Sequence, residues 1–156
     1  MDLLPLFQWF ESTLPGTVVR ESLWLFPVIE CIHLLALSLL GGCVLLLDLR
    51  LLGFGLRSQT PAMLECSLHP WMASAVFAMI VTGILMFLSE AIKCFYSPPF
   101  WVKIGMLVVA VLFTFTIRRR VAQSAEAGSS AVRLTAAASV GLWFGVAFCG
   151  RWIAFY

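Results

Sequence analysis

Four long apolar runs divide the chain, each cut off by a short cluster of polar or turn-forming residues. The first, from Trp24 to Leu47, has twenty-four residues whose only ionisable side chains are Glu30, His33 and two cysteines. An apolar stretch of about 18 residues or more reads as a membrane-spanning helix. The four runs predict spans over approximately residues 23–50, 70–92, 100–118 and 132–154. The expected fold class is therefore all-α: a polytopic membrane four-helix bundle, up-down-up-down, forming a single integral membrane domain over 1–156.

The punctuation between the runs sets the expected boundaries. Asp2 to Leu14 places Leu3, Phe7, Phe10 and Leu14 at helical spacing with polar residues between, which predicts a short interfacial helix broken by Pro15-Gly16. Gly53 to Leu68 reads as a loop, after which His69-Pro70-Trp71 opens the second span with His69 as its cap. The third span carries Lys103 near its start and is expected to stop at Arg118-Arg119-Arg120. In the fourth, Ala137, Gly141, Gly145 and Cys149 recur every four residues, a small-residue stripe suited to close helix contact and to a homo- or hetero-oligomer.

Composition narrows the function classes. With 62% hydrophobic and 12% charged residues and a mean hydropathy of +1.00, a soluble domain is excluded. A net charge of +2 with its arginines in loops gives no nucleic-acid footprint, so the expected partners are lipid, a cofactor and other membrane proteins. Of five cysteines without a C-x-x-C pair, most read as small core residues. The first sixteen residues lack a basic n-region and a cleavage site, so they are expected to belong to the mature protein. The loops after the first and third spans hold Arg50, Arg57, Arg118, Arg119, Arg120 and Arg133, which predicts that they face the cytoplasm and that both termini are periplasmic in a bacterial inner membrane.

The chemistry centres on Glu30 and His33. Ionised groups at the bilayer centre cost at least ~2.5–3.5 kcal/mol, so an intramembrane acid and imidazole imply function. Three residues apart, they share a helix face. The same spacing serves di-iron bundles, but no second copy exists here. A neutral imidazole in an apolar bundle suits the axial position of haem b, with Gly41-Gly42 leaving room for the macrocycle and Lys93, Lys103 and Arg151 available to its propionates. His69, about 22 Å away along the bundle axis, is too far to clamp the same iron. Asp48 lies at a helix C-terminal end, where the dipole disfavours an anion, so it is expected to meet a cation from another helix, Arg118 or Arg119; Arg50 is the other charge-pair candidate. Glu90, with Glu30, is a weaker candidate for a proton or cation.

Ser22-Leu-Trp24-Leu-Phe-Pro27-Val-Ile-Glu30-x-x-His33, then Asp48-Leu-Arg50-Leu-Leu-Gly53, with Thr82-Gly83 and Phe100-x-x-Lys103, resembles an uncharacterised bacterial four-helix inner-membrane family known only as a domain of unknown function. More distantly, the first-span histidine followed by Gly-Gly and a terminal arginine is similar to copper-resistance D-type domains and to the haem-containing membrane protoporphyrinogen oxidase. That resemblance implies His33 as a haem ligand and Arg50 as a structural or substrate-side cation. The chain departs from it in carrying Glu30 beside His33 and no second intramembrane histidine. The expected function is a small b-type haem-binding or quinone-linked electron-transfer protein, with a quinone or periplasmic redox partner. The alternatives are a copper-handling protein using Glu30, Cys31 and His33, and a non-catalytic assembly subunit.

Overall fold

The computed structural model describes residues 3–55, 58–124 and 129–155. Asp2, Arg57 and residues 125–128, which entered the expected N-terminal helix and loops, lie outside them. Four helices are long and apolar enough to cross a membrane: α3 (Leu25–Leu52), α4 (Pro61–Ser89), the rod Pro98–Gln123, and α8 (Ser130–Trp152). The protein is an all-α membrane four-helix bundle.

The N-terminal segment differs from expectation. Prolines open helices here rather than breaking one: Pro5 lies in the first turn of α1 (Leu4–Glu11) and Pro15 in that of α2 (Leu14–Glu21). A missing amide is harmless at these positions. Between the helices, Ser12 and Thr13 donate their hydroxyls to the carbonyls of Trp9 and Phe10 at 2.8 and 2.6 Å. Gly16 permits close docking on α4, since a Cβ there would sit 2.5 Å from the Leu88 carbonyl oxygen. Glu11 holds the other side: its Oε2 accepts the Ile92 amide at 2.7 Å and its Oε1 pairs with Arg20 at 3.0 Å. Ile92 is in the first turn of α5 (Ala91–Tyr96), so Glu11 caps a helix far from it in sequence. These three short helices form a roof over one end of the bundle.

Helix α3 ends at Gly53 in the left-handed conformation (φ 91°), with the Phe54 amide returning to the Leu49 carbonyl at 2.8 Å. The second span starts nine residues before the expected Pro70. Thr60 accepts the Met63 amide at 3.3 Å and Pro61 takes the first position, the same cap-and-proline signature read at His69-Pro70. Pro70 lies inside α4, and His69 caps nothing.

The third span also outruns its expected stop. Helix α6 (Pro98–Phe113) passes through a π-helical turn, Thr114–Arg118, into α7 (Arg119–Ser124). The wider turn re-phases the helix at this point. Trp143 donates its indole N–H to the Thr114 hydroxyl at 2.9 Å, fixing the turn against α8. Arg118 points into the core rather than out to water: its Nε lies 2.6 Å from Asp48 Oδ1, and the two side chains are 1% and 0% exposed. Its other nitrogens reach the Val44 carbonyl at 3.0 Å and the Met72 sulfur at 3.6 Å.

Packing runs in the order α4, α3, α8, α6, and the ring stays open between α4 and α6, which hardly touch. The roof spans that gap at one end, while α7 meets α4 at the other. An apolar cluster around Leu40, Val44, Met72, Ala75 and Trp143 fills the middle. Of the small-residue stripe on α8, Gly145 faces α6, where an added Cβ would strike Met106, while Ala137 and Gly141 are exposed.

Candidate ligand cleft

The gap between α4 and α6 is a cleft of about 590 Å³, within the usual range for small-molecule and cofactor sites. Its walls are apolar: Val76, Met79, Ile80 and Ile84 from α4, and Ile104, Leu107 and Val108 from α6. Phe7, Phe87 and Trp101 close the roof end. Among the described residues, only His33 from α3 and Lys103 from α6 bring ionisable groups to the lining.

Depth along the helices explains why these two meet. At 1.5 Å per residue, His33 lies about 12 Å below the start of α3, Lys103 about 8 Å below the start of α6, and Thr82 about 10 Å from the end of α4. All three therefore occupy one level in the roof half of the bundle.

Hydrogen bonding fixes the state of His33. Thr82 Oγ1 lies 2.7 Å from the Ala78 carbonyl, which can only accept, so the hydroxyl commits its one hydrogen there. It can then only accept from the imidazole, whose Nδ1 is 2.8 Å away. Nδ1 consequently carries a proton, so in the neutral ring Nε2 keeps a lone pair, with no hydrogen-bond donor to it among the described residues. Gly83, beside the ring, adds no side chain between it and the cleft.

Lys103 supplies the opposite polarity. Its ammonium runs alongside Gly150 of α8, where an added Cβ would lie 3.4 Å from Nζ. No acceptor or carboxylate among the described residues bonds it. The cleft thus presents one lone pair and one cation in an otherwise apolar slot.

The other expected site residues go elsewhere. Glu30 and Cys31 are exposed on α3, turned away from the cleft that His33 lines, and Glu30 makes no hydrogen bond among the described residues. Lys93 pairs with Glu90 at 3.9 Å, both exposed. Arg151 lies over the Phe155 ring at 5.4 Å, in a shallow groove with Phe148 and Trp152. Gly41 and Gly42 do not line the cleft, and a Cβ at either would meet nothing within 4 Å. Arg50 donates to the Gln59 carbonyl at 2.7 Å, leaving Asp48 to Arg118. His69 Nδ1 stands 3.3 Å from Glu65 Oε1, with its ring edge-on to Phe115. Among the described residues no three His, Cys, Asp or Glu side chains are grouped to hold one metal ion.

Sequence reasoning passed over Thr82 as a partner and Glu65 altogether. Thr82-Gly83 is a small polar break in an apolar run, and that break marks where α4 meets His33. Glu65 was hidden by its assignment to a loop.

Fold and site together define a four-helix membrane bundle with a side cleft polarised by a histidine and a lysine. The chain belongs to a family of unknown function, DUF6644, which it matches over residues 6–156. No curated protein and no solved structure matches it.

Proposed function

We propose that the protein is a quinone-linked electron-transfer protein of the bacterial inner membrane, which takes the head of a membrane quinol into the α4/α6 cleft. The observation that carries this reading is the 2.8 Å bond of His33 Nδ1 to Thr82, which leaves Nε2 for a ligand. Its free Nε2 accepts a hydrogen bond from a ring hydroxyl of a quinol and takes up that proton, while Lys103 donates to a ring oxygen and balances the negative charge left there. A flat ring between α4 and α6 turns its faces to those apolar walls and its edge towards α3, where His33 waits. The gap in the helix ring gives an isoprenoid tail a path into the bilayer. Arg50, Arg119, Arg120 and Arg133, gathered at the other end, support a cytoplasmic face there and a periplasmic roof with both termini. A redox partner then approaches from the periplasm.

Titration of the detergent-purified protein with a short-chain quinone tests this, because Trp101 and Trp143 line the cleft and report by fluorescence. Saturable quenching is expected, with His33→Ala and Lys103→Met each weakening it about tenfold, or ~1.4 kcal/mol. Absence of saturation, or equal affinity in both variants, overturns the reading.

A second reading has support from the same histidine. Metal-binding imidazoles are characteristically anchored through their other ring nitrogen, as Nδ1 is here. His33 would hold the iron of a haem b, which would supply one-electron chemistry, and Lys103 would hold one propionate. Lys93 and Arg151, facing elsewhere, do not serve it. A Soret band that disappears in His33→Ala selects this reading over the first.

A further inference from the structure

A second polar site lies at the arginine end, remote from the cleft. On α4, the nineteen residues from Trp71 to Ser89 span about 28 Å, close to the ~30 Å thickness of a bilayer's hydrocarbon. Exposed Trp71 is the kind of residue that marks the interface. Glu65 and His69 therefore fall in the headgroup layer, where water reaches.

Glu65 is only 3% exposed at its side chain, yet its carboxylate is poorly satisfied. Oε1 has His69 Nδ1 at 3.3 Å, out of alignment for a hydrogen bond, and Arg119 Nε at 3.6 Å, beyond hydrogen-bond reach. Oε2 is buried with no partner. Asp48 also leaves one oxygen, Oδ2, without a partner, but its Oδ1 closes on Arg118 Nε at 2.6 Å, whereas neither oxygen of Glu65 has so close a donor. A carboxylate held only for packing closes on its donors in the same way, since leaving them unmade is costly.

We propose that Glu65 and His69 form a proton-binding site, loaded from the aqueous layer at the arginine end, in which the Glu65 carboxylate and the His69 imidazole, 3.3 Å apart, compete for one exchangeable proton. His69 is the route to solution: its side chain is 29% exposed, while Glu65 behind it is sealed. Arg119 from α7, 43% exposed, is the counter-charge and supports the ionised carboxylate. From α3, Asp48 is committed to Arg118 and Arg50 to the Gln59 carbonyl. Arg120 is engaged in an interaction of its own. On proton uptake the site passes from carboxylate with neutral imidazole to a state with one more positive charge. No other bond changes. The site stands whether or not a quinone occupies the cleft.

The chain has two histidines, so side-chain NMR of histidine-labelled protein resolves His69 once His33→Ala identifies the other signal. Infrared difference spectra across a pH titration report the carboxyl. Two results are expected together: a carboxylic acid band that grows on acidification and is missing in Glu65→Gln, and a His69 titration midpoint that moves by roughly one pH unit or more in that variant, as coupled sites require. His69→Gln serves as the reciprocal variant and moves the carboxyl midpoint. A carboxyl band retained in Glu65→Gln, or a His69 midpoint indifferent to that substitution, overturns the proposal. Should Glu65→Gln not fold, an unchanged carboxyl midpoint in His69→Gln overturns it equally.

Discussion

His33 donates its Nδ1 proton to the hydroxyl of Thr82 across 2.8 Å, and this one bond decides which nitrogen faces the cleft. Replacing Thr82 by Val removes the acceptor while keeping the shape, so the ring loses its preferred tautomer. Quinone affinity is expected to fall three- to tenfold, on the order of 1 kcal/mol for a lost hydrogen bond. Thr82→Ser should retain most of it. Fluorescence titration of the two variants side by side checks this, and equal affinities would show that Thr82 does not set the state of the ring.

The Asp48–Arg118 pair is expected to behave as a unit. Either Asp48→Ala or Arg118→Ala leaves a buried charge alone and should destabilise the bundle by ~3–5 kcal/mol. The double variant Asp48→Leu/Arg118→Met should lose much less than the sum. Unfolding of all three in mixed micelles measures the coupling; additive losses would mean that the two groups act independently.

Gly16 sits against a backbone carbonyl, which cannot swing aside as a side chain would. Gly16→Ala is therefore expected to lift α2 from α4 and cost ~1–3 kcal/mol, the usual range for overpacking. Faster proteolysis within the first 24 residues, with the four spans still protected, is the expected pattern. Undisturbed protection of the N-terminus would contradict it.

Cys94, in α5 between the second and third spans, is buried, and that burial, aided by Glu90, pushes its thiol from 9.0 up to about 11. A thiol raised in the folded state favours the protonated form there. The associated stability is therefore fully present below pH 9, where both states are protonated, and falls as pH rises towards 11. Alkylation of Cys94 in the folded protein should be slow at neutral pH and accelerate only as pH approaches 11, whereas the unfolded chain reacts from about two units lower. A folded-state rate that levels off near pH 9 would show that the thiol is not perturbed.

The spans were legible because an apolar run of membrane length admits few other readings. Their ends were less so. Thr60-Pro61 and His69-Pro70 carry similar start signals, and only packing shows that the earlier one begins α4. The three arginines look alike in sequence; the π-turn and the waiting Asp48 select Arg118 for the core, so the helix continues where a stop was expected. His33 was visible as an ionisable group in an apolar helix, but its cleft arises from α4 and α6 failing to meet, which no local pattern encodes. Glu30, on the same helix face one turn earlier, is exposed and does not line the cleft that His33 reaches.

Glu11 finds its amide partner eighty-one positions further along the chain. Ribosomes deliver Glu11 early, yet it has no amide to cap until two hydrophobic segments have been threaded and α5 has emerged beyond them. Closure of the cap over the bundle is thus among the later events of biogenesis, and a nascent chain halted before Ile92 has α2 able to meet α4 while α1 still lacks α5.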